Sequence, residues 1–349
     1  MNNTTHPQNN FDFLRFVAAT MVWYAHCYII YGRPSPAFLP IPAGAFGGIG
    51  VAIFFVISGY FITASYRSHN NFLVFVRNRV LRIAPAMLVV ILLSVFVLGP
   101  LATHLSLHDY FAHHQTWRYL RSLLIFPLQY DLPSVFNGNH VNAVNGSLWT
   151  LQHETRCYMA VAFLGVLGIL LPRPILILFA GLWLVRIYGS FADLDLVPPI
   201  PILHRWNWGK MELALQLEVL FASGALLYLA REYIPLHLWF CVLMILLLAV
   251  GLHFQSSAAI AGSWLFDLAL PYVVIYVGFV RLPLIHQFGK FGDFSYGMYL
   301  YAFPVQQLTA YFFRHMGFGM FMMISFLATL TCAVASWHWI EKPALLLKK

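Results

Sequence analysis

Apolar residues along this 349-residue chain gather into blocks of about twenty, each long enough to cross a hydrocarbon core of roughly 30 Å. Ten such blocks can be read, near 11–31, 45–66, 83–102, 149–171, 174–190, 211–230, 235–253, 261–280, 291–313 and 317–340. Pro and Gly interrupt the fifth and eighth most. The pattern predicts an all-α fold, a polytopic membrane helix bundle of about ten transmembrane helices. It reads as one domain over 1–349, with a short polar tail at 1–10 and a short basic tail at 344–349. The longest connection, roughly 103–148, contains TWRYLRSLLIFPLQY, an aromatic-rich piece with the character of an interfacial or re-entrant segment. No internal repeat, low-complexity tract or soluble domain stands out.

Composition agrees with this. Hydrophobic residues make up 60% of the chain and charged residues only 9%, too few to cover a water-facing surface. A net charge of +8 would suit nucleic acid in a soluble protein. In a membrane protein it marks cytoplasmic loops, so no nucleic-acid partner is expected. With the N-terminus inside, twelve Lys and Arg fall on the cytoplasmic side and seven on the other, which favours N-in and C-in. The opening MNNTTHPQNN lacks the features of a cleaved signal, so the first span is expected to be retained. Cys27, Cys157, Cys241 and Cys332 each lie inside an apolar block without ligand spacing, so neither disulfides nor a metal site are expected.

Against this apolar background a few ionisable residues stand out. In FDFLRFVAATMVWYAHC, a helical turn of about 100° per residue brings Arg15 to within about 20° of His26, and Asp12 to within about 40°. All three line one stripe, which faces the bundle interior because lipid would penalise them by several kcal/mol. Asp12 and Arg15 also fit an ordinary i,i+3 pair at the water boundary. His26 does not, since it lies about 16 Å further along the axis.

FLVFVRNRVLRIAP places Arg77, Arg79 and Arg82 just before the third span. They can be read as topology signal. Three guanidinium forks at one mouth would also suit a polyphosphate, because each binds phosphate bidentately. In NGSLWTLQHETRCYM, Gly146 and Ser147 read as a turn and N-cap, followed by Gln152, His153, Glu154 and Arg156 inside the apolar run. Glu154 and His26 each sit five residues from the outer end of their block, about 8 Å deep. A His and a carboxylate at one depth form the pair a general base needs. Glu218, Asp267 and Asp293 fit buried carboxylates bridging helices. Ser58 fits a small packing residue or, less simply, a nucleophile. His104, His108, His113 and His114 show no recognised ligand spacing, so no metal is expected there.

FDFLRFVAATMVWYAHC, GGIGVAIFFVISGYFIT, RNRVLRIAP, SLWTLQHE, FSYGMYLYAFPVQQ and WIEKP occur in this order between residues 11 and 343. Together they resemble the integral-membrane acyltransferase family 3, which includes bacterial O-acetyltransferases of O-antigen and other surface glycans. The resemblance implies an inner-membrane enzyme that takes an acyl group from cytoplasmic acetyl-CoA, without a metal. The acceptor would be a hydroxyl of a lipid-linked or surface polysaccharide, either lipopolysaccharide O-antigen or exopolysaccharide. It implies His26 and Glu154 as catalytic residues, with Arg15 and its neighbour Asp12 on the same helix. Arg77 and Arg79, joined by Arg82, would bind the donor. Many members carry a His after the YL-aromatic of the ninth span, where this chain has Ala302. The chain resembles the short form, without an appended hydrolase-like domain. Read from residues alone, a transporter or flippase and a lipid-linked glycan polymerase remain as rivals.

Overall fold

A helix stands over each of the ten apolar blocks. The computed structural model describes residues 9–36, 41–192, 211–254, 264–283 and 285–348. Positions 1–8 of the polar tail, and Arg205, Lys210 and Lys349 among the charges used for orientation, lie outside them. Helix α1, Phe11–Tyr31, contains neither Pro nor Gly and spans about 31 Å. Helix α2, Ala43–His69, stops at Asn70, whose φ of +45° is one that asparagine tolerates better than most residues. The Asn71 side chain then accepts from the Val74 amide at 3.1 Å, and α3, Phe72–Leu93, begins.

Helix α3 begins at Phe72, ahead of the apolar block that starts near 83, so the three arginines lie on the helix itself. Apolarity marks how deep a helix lies in lipid, not where it starts, and Pro85 is accommodated inside it. After a π-helical turn, Ser94–Leu98, the chain adds one more turn, Gly99–Ala102. The long connection holds two short helices, α4 (Leu107–Ala112) and α5 (His114–Tyr119), and a 3-10 turn over Leu120–Leu124. Trp117 and Leu124 on this segment are exposed.

The later helices are α6 (Trp149–Val166), α7 (Pro172–Ala192), α8 (Met211–Leu229), α9 (Leu238–Phe254), α10 (Trp264–Phe279), α11 (Ser295–Phe312) and α12 (Phe318–Ser336). A π-helical turn, Trp337–Glu341, carries α12 on to Lys342–Leu345. Among the described residues, four segments are both long and apolar enough to cross a membrane: Phe11–Tyr31, Ala43–His69, Phe72–Ala102 and Phe318–Leu345. Leu213–Leu229, Leu238–Val250 and Trp264–Phe279 are shorter apolar helices. The distribution of side chains is that of a membrane protein: Leu243, Ile245 and Leu246 on α9 face outward, while Gln216, Ser223 and Asp267 are buried.

The chain divides into two compact units. One comprises Met1–Ala18, Gly48–Phe75 and His153–Gly292; the other, Ala19–Gly47, Val76–Gln152 and Asp293–Lys349. In the first, α8 packs on α7 and α10, and α9 packs on α10. The backbones of α2 and α8 touch. A methyl at Gly59 would collide with the Phe221 carbonyl, and one at Gly224 with the Val56 carbonyl. The Asn10 side chain, fully buried, donates to the carbonyls of Val277 and Val280 at 2.6 Å each and ties the start of α1 to the end of α10. In the second unit, α11 and α12 form an antiparallel pair.

Candidate active site

In the second unit the candidate base sits on a helix whose register is held from outside. Gln306 of α11 donates through Nε2 to the Trp23 carbonyl at 2.8 Å and the Cys27 sulfur at 3.0 Å, bracketing His26. The Phe303 ring meets the imidazole edge-on, with centroids 5.0 Å apart. The Nδ1 atom of His26 is buried and has no hydrogen-bond partner among the described residues. Gln307, next to Gln306, donates to the carbonyls of Val141 and Ala143 at 2.7 and 2.6 Å, pinning the long connection to α11. Thus FSYGMYLYAFPVQQ cradles the His26 helix. Ala302 packs into an apolar cluster with Trp23, Cys27, Ile30 and Phe321.

The entry to α6 differs from expectation in its cap. Asn145, not Ser147, caps the turn: its side chain accepts from the Ser147 amide at 3.1 Å and donates to the Leu300 carbonyl at 2.9 Å. A single 3-10 turn, Gly146–Leu148, then leads into α6. Ser147 is itself buried, so Asn145, with both a donor and an acceptor, can bind the turn and α11 at once. Helix α6 begins at Trp149 and α1 ends at Tyr31, so Glu154 and His26 each lie five residues inside their helix ends, as expected.

In the first unit, Glu154 is half-buried between α2 and its own helix. Its Oε1 accepts from the Ser58 hydroxyl at 2.8 Å and from the Tyr158 hydroxyl one turn along. Ser58 is therefore more than a packing residue, and Tyr158 was not singled out by sequence at all. The signal for Tyr158 was its i+4 spacing from Glu154. Close by, Arg156 Nη1 lies 3.5 Å from His153 Nδ1 and is electrostatically coupled to Glu218. Arg15 donates to Asp12 at 3.0 Å and lies over the Phe61 ring, so these two form the i,i+3 pair that their spacing allowed. Asp267, expected to bridge helices, pairs with Arg186 at 3.2 Å, both side chains sealed from solvent.

The three arginines of α3 are not equivalent. Arg82 is shared between Asp293, at the start of α11, and Glu341, at 3.7 Å, in the π-helical turn after α12. Ser336 donates to Glu341 at 2.9 Å, and Arg82 also lies over the Tyr296 ring. Asp293 thus bridges elements, as its burial suggested, and Glu341 of WIEKP finds its role in holding Arg82. Arg77 is exposed and Arg79 half-buried. Lys348, just beyond the last helix, is the unforeseen member of this group. Partial burial and the charges of Arg79 and Arg82 push its ammonium down to about 8. Among the described residues, no group of three His, Cys, Asp or Glu could hold a metal ion.

The sequence matches the family described as an acyltransferase domain, acyltransferase 3, across residues 8–338. The chain belongs to this family. A member of the acyltransferase 3 family is an enzyme that transfers acyl groups from a donor, so the transporter and polymerase readings fall away. One relative is an O-acetyl transferase of Shigella phage Sf6, 32% identical over 97% of this chain and 96% of its own. Another is nodulation protein 10 of Rhizobium leguminosarum bv. viciae, 26% identical over 98% of this chain and 94% of its own. No solved structure matches this acyltransferase.

Proposed function

We propose that this acyltransferase is an inner-membrane O-acetyltransferase whose ten helices all cross the bilayer within a single catalytic domain, with both termini cytoplasmic. It takes acetyl from cytoplasmic acetyl-CoA and delivers it to a hydroxyl of a lipid-linked or surface polysaccharide, such as O-antigen or exopolysaccharide. Acetyl as the group transferred follows the relative named as an O-acetyl transferase. Arg77, Arg79 and Arg82 at the cytoplasmic end of α3 hold the CoA phosphates, and Lys348 adds a fourth cation to them. Arg82, braced by Asp293 and Glu341, fixes the rim of this site.

The observation that carries the reading is His26, an imidazole in an apolar helix whose Nδ1 has no partner among the described residues. His26 acts as general base: it takes the proton from the sugar hydroxyl as the oxygen attacks the thioester carbonyl. The imidazolium then gives that proton to the departing sulfur as the C–S bond breaks, so that CoA leaves as the thiol. Glu154 orients the imidazole and stabilises the imidazolium that forms. Arg15 and Asp12 line the cytoplasmic stretch of the same stripe, along the path of the pantetheine arm. Expression in a host with a defined surface glycan tests this. Wild type adds acetyl to the glycan; His26→Ala adds none while remaining in the membrane at wild-type abundance. Acetylation that survives in His26→Ala overturns the assignment of the base.

A further inference from the structure

Glu154 is held by a different kind of contact from the other buried acids. Asp267, Asp293 and Glu341 each face an arginine. Glu154 instead accepts two neutral hydroxyl donors, Ser58 and Tyr158, both on Oε1. Among the described residues nothing donates to Oε2, and the side chain is only half-buried. One oxygen is anchored and the other is available.

The anchor is built into the helix packing. Ser58 is followed by Gly59, whose missing side chain lets α2 rest directly on the Phe221 carbonyl of α8. Gly224 makes the reciprocal contact at the Val56 carbonyl, one turn away. Two backbones in contact cannot rotate freely about their axes, so the Ser58 hydroxyl is aimed. Tyr158, 8% exposed and packed near Phe221, supplies the second donor from the same helix as Glu154.

We propose that Ser58 and Tyr158 are positioning residues for acyl transfer. They lock the carboxylate of Glu154 in one rotamer through Oε1, so that Oε2 is presented in a fixed direction. Ser58 is not the acyl carrier in this arrangement. Its proton faces a carboxylate, too weak a base to create an alkoxide, and that carboxylate is already shared with Tyr158. The inference rests on the role given to Glu154 above.

The test uses membranes containing the full-length enzyme and a host polysaccharide, with radiolabelled acetyl-CoA as the probe and turnover counted per enzyme in the membrane. A hydrogen bond to a charged group corresponds to about 10- to 100-fold in rate, so Ser58→Ala and Tyr158→Phe should each lower kcat by about that factor. KM for acetyl-CoA should stay within about twofold, because neither residue binds the donor. Ser58→Thr, which keeps the hydroxyl, should recover most of the rate. In a Glu154→Gln background, Ser58→Ala should add almost nothing, since the anchored group is already altered.

Three results would overturn the proposal: Ser58→Ala with wild-type kcat, Ser58→Thr as poor as Ser58→Ala, or acetyl covalently attached to Ser58 by mass spectrometry. If Glu154→Gln itself turns over normally, it is the role of Glu154 that fails. If Glu154→Gln is inactive while Ser58→Ala and Tyr158→Phe are normal, only the positioning inference fails.

Discussion

Two buried acids of the first unit, Asp267 and Glu154, show how differently a membrane protein can use a carboxylate. Asp267 lies 3.2 Å from Arg186, at 0% and 1% exposure. Both side chains are closed to solvent, so the pair serves to join helices. Among the described residues Glu154 meets no cation directly; it is half open and has one oxygen tied by hydroxyls. Charge that is sealed holds helices together, whereas charge that is anchored on one side only can meet a substrate.

The contrast can be broken by substitution. The largest effect is expected at His26, because a positioned general base contributes about 10²–10⁴-fold. His26→Ala should lose at least that much turnover while its unfolding temperature in detergent stays near wild type. Next comes the sealed pair. Asp267→Ala removes the carboxylate that lies 3.2 Å from the buried Arg186 and should destabilise the protein by about 3–5 kcal/mol, seen as lower unfolding temperature and yield. The surviving folded enzyme should retain its kcat. Arg186→Met with Asp267→Leu should cost less stability than Asp267→Ala alone, because replacing both charges by apolar groups removes the burial penalty together with the attraction.

A smaller effect is expected at the cytoplasmic rim. Arg79→Ala should raise KM for acetyl-CoA by about tenfold, the loss of one charge-assisted phosphate contact, with kcat little changed. The smallest concerns Lys348. Its ammonium is lowered to about 8, so it is charged below that pH and neutral above it. Its attraction for phosphate is therefore present at pH 7 and lost as pH rises through 8. KM for acetyl-CoA should climb severalfold between pH 7 and 9, and Lys348→Met should flatten that rise.

Much of this arrangement was legible in the sequence, for identifiable reasons. Helix positions followed from apolar blocks, since lipid thickness sets their length. His26 stood out because an ionisable residue in lipid needs a reason. Glu154 and Asp267 stood out in the same way, and the i,i+3 spacing of Asp12 and Arg15 led directly to their ion pair. What could not be read were partners distant in sequence. Arg82 looked identical to Arg77 and Arg79 until the fold brought Asp293 and Glu341 to it, 211 and more residues away. Ser58 looked like a packing residue because a hydroxyl donor carries no charge to mark it. Helix α3 extends beyond the apolar block because polarity marks the membrane surface, not the end of a helix.

Turnover of Glu154→Gln, measured beside Asp267→Asn in the same membranes with labelled acetyl-CoA and a polysaccharide acceptor, is the most direct test. Glu154→Gln should lose about 100-fold or more in kcat with an unchanged unfolding temperature. Asp267→Asn should instead lose stability and keep its turnover per folded enzyme. Normal turnover in Glu154→Gln, or loss of turnover in stably folded Asp267→Asn, would contradict it.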